Sequence, residues 1–123
     1  MRRILVIDDE APLRNLLTSM LGREGFVVET AEDGAAGVAA FRRRRPDLVI
    51  TDILMPNKGG LVAIREILDL DPAMKIVAMS GGGRTGKLNF LSTARTFPGV
   101  QTLQKPFRQA ELMAAVRGAL GSE

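Results

Sequence analysis

Cysteine, histidine, tryptophan and tyrosine are all missing from this chain of 123 residues. Without cysteine there can be no disulfides and no thiolate metal sites. Without histidine, the commonest general base and the imidazole metal ligand are gone as well. Any metal site must then be built from oxygen ligands, which suits hard cations. The missing indole and phenol rings leave little surface on which nucleobases could stack. No apolar run approaches the length of a membrane span. The run after Arg2-Arg3 stops at Asp8 after only Ile4 to Ile7, too short for a secretory leader. Internal repeats, low-complexity tracts and linkers are also lacking. The expectation is a single cytoplasmic domain over 1–123, with 120–123 as a tail.

What remains is the composition of a globular domain. Hydrophobic residues make up 46% and charged residues 25%, enough for a core inside a soluble surface. The net charge is +3 and the pI about 10.0, with much of the excess in Arg42 to Arg45. Such a run could touch nucleic acid or an acidic partner. The plainer reading is the solvated last turn of a helix, where cations suit the macrodipole. Neither direct nucleic-acid contact nor membrane contact is expected.

Short apolar runs alternate with helical patterns. Ile4-Leu5-Val6-Ile7 reads as a buried strand that ends in Asp8-Asp9-Glu10. Pro12 suits the first turn of the helix that follows, and Leu13, Leu16, Leu17, Met20 and Leu21 form its stripe. Gly22 and Gly25 mark its end. Phe26 to Thr30 is a second strand, and Asp33-Gly34 opens a second helix bearing Ala35, Val38, Ala39 and Phe41. Leu48-Val49-Ile50 is a third strand running into Asp52. The loop from Met55 to Gly60 precedes a helix with Leu61, Ile64, Ile67 and Leu68 on one side, broken at Asp71-Pro72. Lys75 to Met79 is a fourth strand ending at Ser80. A weaker helix is expected from about Arg84 to Phe97, because Gly86 and several Ser and Thr lower its propensity. Val100 to Gln104 is a less apolar fifth strand, suited to a sheet edge. A last helix carries Phe107, Leu112, Met113, Val116 and Leu120. Strand and helix in repeated alternation predict an α/β fold, a parallel sheet with helices on both faces.

Ligands of such sheets bind beyond the carboxyl ends of the strands. Asp8 and Asp9, Asp52, Ser80 and Lys105 all fall there, from four of the five strands. Two like charges about 4 Å apart repel by about 4 kcal/mol at an effective dielectric near 20. Three carboxylates together therefore call for a cation and for the lysine. Oxygen ligands with open positions suit Mg2+, which keeps waters and binds phosphate oxygens. An Asp carboxylate can attack phosphorus to form an aspartyl phosphate. Lys105 would neutralise charge on the transferring group, and Ser80 could donate a hydrogen bond to it. Gly81-Gly82-Gly83 is no P-loop, for the lysine and hydroxyl due at fixed spacing are missing.

The segments ILVIDD (Ile4–Asp9), LVITDILMP (Leu48–Pro56), MSG (Met79–Gly81) and KPF (Lys105–Phe107) together resemble the receiver domain of two-component response regulators, of the kind found in chemotaxis regulators. The resemblance implies a flavodoxin-like sheet of order 2-1-3-4-5. It implies that Asp52 accepts a phosphoryl group from a histidine kinase or a histidine phosphotransfer protein. Asp9 and Asp52 would bind Mg2+ directly, Asp8 through water, and the backbone carbonyl of Leu54 would complete the set. Ser80 would be the switch hydroxyl and Lys105 the phosphate contact, with Lys105-Pro106 a cis peptide. Phosphorylation would bias the face made by the fourth helix, fifth strand and fifth helix, which is also where a homodimer would form. The output would be a downstream protein or a domain outside these residues.

The chain departs from the family pattern at three places. Thr102 stands where an aromatic residue is usual, Gly59-Gly60 replaces Asp-Gly, and Pro98-Gly99 replaces Gly-Ala. Leu54 and Gly82 flank the expected path of the hydrolytic water, and neither can act as a base, so a long-lived phosphoryl group is expected. The activity would be limited to self-phosphorylation and slow dephosphorylation. Two other readings are a Mg2+-dependent phosphohydrolase and a receiver that binds partners without phosphorylation. Leu54 sits where such hydrolases carry a second Asp, and the retained acids and lysine disfavour the other.

Overall fold

Five parallel strands form one sheet in the order β2-β1-β3-β4-β5. The computed structural model of the chain describes residues 2–53, 59–81 and 99–121. In chain order the elements are β1 (Arg3–Ile7), α1 (Ala11–Arg23), β2 (Val27–Ala31), α2 (Gly34–Arg43), β3 (Leu48–Asp52), α3 (Gly60–Leu70), β4 (Ile76–Gly81), β5 (Val100–Lys105) and α4 (Gln109–Leu120). The predicted strand order and the edge position of β5 hold. The helix expected over about 84–97 lies outside the described residues.

Side chains alternate across the pleat, and each face of the sheet has its own core. Leu5 and Ile7 of β1, Val49 of β3, and Ile76 and Ala78 of β4 pack with Phe41, Ile64 and Ile67 under α2 and α3. Ile4, Val6, Leu48, Ile50, Val77 and Met79 pack with Leu17, Leu21, Leu112 and Val116 under α1 and α4. β3 is buried along its whole length. That explains why its sequence is a continuous apolar run and not an alternating one.

Helix ends are fixed by local chemistry. Asp33 caps α2, accepting a 2.8 Å hydrogen bond from the Ala36 backbone N–H, worth about 1 kcal/mol. At the end of α1, Gly25 takes a positive φ of 92°. The Gly25 and Phe26 N–H groups then donate to the carbonyls of Gly22 and Leu21, at 3.0 and 3.2 Å. This paired closure uses Phe26 to terminate the helix. For that reason β2 runs from Val27 to Ala31, one residue later than its apolar pattern suggests.

The start of α3 is set by close approach. The Gly60 N–H donates to the Ile53 carbonyl at 2.8 Å. A Cβ on Gly60 would collide with the Asp52 carbonyl oxygen and lie 2.7 Å from Ile53 Cα. Gly60 is therefore part of how the end of β3 is held, and not a turn residue alone.

Candidate functional site

The sheet order reverses between β1 and β3, so a crevice opens beyond the carboxyl ends of these two strands. Asp8 and Asp9 follow β1 there, and Asp52 is the last residue of β3. Carboxylate oxygens of Asp8, Asp9 and Asp52 all lie within 4.8 Å of one another. Asp8 is fully buried and Asp52 is 6% exposed, whereas Asp9 faces solvent.

Lys105, at the end of β5, reaches the same place from the far edge of the sheet. Its Nζ lies 3.2 Å from Asp8 Oδ2 and 3.3 Å from Asp52 Oδ2. The Lys105-Pro106 peptide that follows is cis, as the resemblance implied. Asp8 is oriented further by its neighbours. Its Oδ1 accepts from the Glu10 N–H at 2.8 Å, and its backbone carbonyl accepts from the Arg14 guanidinium at 2.7 Å. Ile53 N–H donates to the Met79 carbonyl at 2.9 Å, tying the turn after Asp52 to β4.

Burial dominates the electrostatics. It pushes the Asp52 carboxyl up from 3.8 to about 6; Lys105 opposes this, and Asp8 adds to it. Burial alone would lower the Lys105 ammonium, but the attraction of Asp52 and Asp8 outweighs it and holds the lysine above its ordinary value. Among the described residues three carboxylates face one ammonium, so this cluster carries an excess of negative charge. The donor set is oxygen only. These residues fit a hard divalent cation, and they suit Mg2+ better than a softer metal.

The fold thus brings Asp8, Asp9, Asp52 and Lys105 into one cluster. Ser80 is buried at the same rim, one residue beyond Met79, which pairs in register with Asp52. Leu54 and Gly82 lie outside the described residues. Thr102 lies within β5, half-buried and in register with Ala78. Sequence reasoning missed two contributors. Gly60 was visible as a turn former, but its contact with the Asp52 backbone depends on tertiary packing. Arg14 carries no local signal, since its guanidinium acts back across the loop on Asp8.

A family model described as the response regulator receiver domain matches residues 4–117. The DNA-binding response regulator MtrA of Mycolicibacterium paratuberculosis is 36% identical over 121 residues, covering 97% of this chain and 51% of that protein. The chemotaxis protein CheY of Bacillus subtilis is 33% identical over 121 residues, covering 96% of this chain and 97% of that protein. The chain therefore spans about half the length of the MtrA relatives and nearly all of the chemotaxis protein. A receiver domain protein from Clostridium thermocellum superposes with a TM-score of 0.90 at 30% identity, covering 98% of this chain and 94% of that one. TrrA from Thermotoga maritima, solved in complex with Mg2+-BeF, superposes with a TM-score of 0.86 at 33% identity, covering 98% of this chain and all of its own. With its model matched from β1 into the last helix, the chain belongs to the response regulator receiver domain family and is a receiver domain of two-component signalling.

Proposed function

We propose that Asp52 is the phosphoacceptor and takes its phosphoryl group from a phosphohistidine on a histidine kinase or histidine phosphotransfer protein. An ionised Asp52 carboxylate oxygen attacks phosphorus. The phosphorus–nitrogen bond breaks, and the imidazole leaves with its electron pair. Lys105 lies 3.3 Å from Asp52 Oδ2 and so can neutralise charge on the moving phosphoryl oxygens. It also favours the ionised form of Asp52 that the attack needs. Asp8, Asp9 and Asp52 would hold Mg2+, with the carbonyl of Leu54 as a further ligand. When bound, Mg2+ supplies charge neutralisation for the phosphoryl oxygens. The TrrA complex with Mg2+-BeF supports this reading, since that protein binds a metal and a phosphoryl mimic in the same fold.

Ser80 would donate its hydroxyl to the new phosphate and bias the face that includes β5 and the C-terminal helix α4. The activity ends with the phosphorylated domain and its slow hydrolysis, without turnover of a separate substrate. Docking of the donor is supported by an open apolar cleft of about 450 Å³ beside the acids, lined by Glu10, Pro12, Leu13 and Leu16. Membership of the receiver family supports a cytoplasmic place for the domain; among the described residues no helix is long and apolar enough to cross a membrane. The output is a partner protein or a further domain, as in the DNA-binding relatives of twice this length.

The observation that carries this reading is the buried bridge from Lys105 to both Asp8 and Asp52. The test is to incubate the protein with Mg2+ and acetyl phosphate and measure its intact mass. The expected result is a gain of one phosphoryl group that disappears in Asp52→Ala. No gain with any small donor would overturn it.

A further inference from the structure

The fold gathers a second charged region at the opposite end of the sheet. The arginine run leaves α2 through Arg42 and Arg43 and continues as Arg44 and Arg45 before β3. Arg2 and Arg3 open β1 beside it; the Arg2 carbonyl accepts from Val27 N–H at 3.0 Å, and the Arg3 carbonyl from Asp47 N–H at 2.8 Å. Arg3 and Arg43 converge on one carboxylate, Glu29, at 3.0 and 3.3 Å. Arg45 stands 3.7 Å from Asp71, with its guanidinium 5.3 Å from the Phe41 ring centroid. Arg42 and Arg44 are exposed and form no ion pair among the described residues. Two termini distant in sequence thus form one arginine-rich rim. Sequence alone presents the run as a solvated helix end, because nothing local shows Arg2 and Arg3 beside it.

We propose that this amino-terminal rim binds the phosphate backbone of double-stranded nucleic acid without reading its bases. A domain pI about 10.0 with arginines clustered at one end is the electrostatic footprint of such binding. Arginine presents a planar fork that matches phosphate oxygens in pairs. The Arg43 pair to Glu29 and the Arg45 pair to Asp71 are solvent-exposed on the arginine side and weak enough to exchange for phosphate. Tyrosine and tryptophan are absent, so single strands find little stacking surface. Among the described residues the exposed large apolar side chains at this rim, Val27 and Leu70, are aliphatic, and a protein partner would need a better anchor. The acidic rim at the other end of the strands repels a polyanion and so orients it toward the arginines. Since the two rims are separated by the length of the strands, about 17 Å, binding is independent of phosphorylation at Asp52.

The test is anisotropy of a labelled, mixed-sequence DNA duplex with the 123-residue chain over a series of NaCl concentrations. For three or four phosphates contacted, log affinity should fall with log salt at a slope of about −3 to −4. R42E/R44E should weaken binding by at least about tenfold and flatten the slope by about two. R42K/R44K should retain most of the affinity, and both variants should keep the wild-type circular dichroism and phosphorylation by acetyl phosphate. Absence of salt-dependent binding, or equal binding by R42E/R44E, overturns the proposal. Displacement of the duplex by polyglutamate at equal charge concentration would overturn it in favour of an acidic protein partner.

Discussion

The two rims of this sheet carry opposite charge and are built in opposite ways. At the carboxyl rim, buried groups from β1, β3 and β5 converge: Asp8 is fully buried, and Lys105 reaches across from the sheet edge. At the amino rim, Arg43 and Arg45 stand in solvent with pairs at 3.3 and 3.7 Å, and Arg3 is half-buried beside Glu29 at 3.0 Å. Burial makes the charges of Asp8 and Asp52 expensive and their contacts to Lys105 strong. Exposure makes each charge at the second rim nearly neutral for stability. Substitution at the acid rim should therefore change chemistry and folding together, while substitution at the arginine rim should leave folding almost untouched.

The largest expected effect is on chemistry. Lys105→Ala should slow phosphorylation of Asp52 by about 10²- to 10³-fold, as expected for loss of one charge-stabilising donor. Single-turnover mass measurements with acetyl phosphate check this, and a loss of less than about tenfold would mean that the lysine is structural. Next comes Gly60→Ala. Its Cβ would strike the Asp52 carbonyl, and overpacking of this kind costs about 1–3 kcal/mol. Urea unfolding measures it, and a change below about 0.5 kcal/mol would place α3 farther from Asp52 than described.

Asp52→Asn separates the rims through pH. Burial in the folded protein raises the Asp52 carboxyl from the ordinary 3.8 to about 6. A raised carboxyl pKa means that the stability linked to Asp52 is full below about pH 4 and is lost as pH rises through 6. Asp52→Asn should therefore stabilise the metal-free protein by about 1–2 kcal/mol at pH 7.5, with the advantage gone at pH 4. Saturating Mg2+ should narrow the gap by stabilising the wild type more than Asp52→Asn, seen as a larger rise in melting temperature. The smallest effect belongs to the other rim. Glu29→Gln removes the carboxylate shared by Arg3 and Arg43, and it should cost less than about 1 kcal/mol. A larger loss in thermal unfolding would erase the contrast between the rims.

Much of this was legible in the residues themselves. Leu48-Val49-Ile50, a short β-branched run between turn residues, reads as a buried strand, and it is buried along its length. The carboxyl-end rule then places Asp8, Asp9, Asp52 and Lys105 together before any coordinate is known. What escaped the sequence depends on long-range approach. Phe26 looks like a strand residue, yet its N–H closes α1. Gly60 looks like a turn, yet it makes room for the Asp52 carbonyl. Arg3 and Arg43 are distant in the chain, and only the parallel pairing of β1 with β2 and β3 sets them over Glu29. Thr102 was legible as a departure from the family, and it lies half-buried in β5, in register with Ala78.

The most direct measurement identifies the residue that carries the phosphoryl group. After reaction with acetyl phosphate and Mg2+, borohydride reduces an aspartyl phosphate to homoserine, and peptide mass mapping locates it. The account predicts homoserine at position 52 in the wild type and at no position in Asp52→Ala. Phosphate retained on Ser80, or homoserine at position 8 or 9 in the wild type, would contradict it.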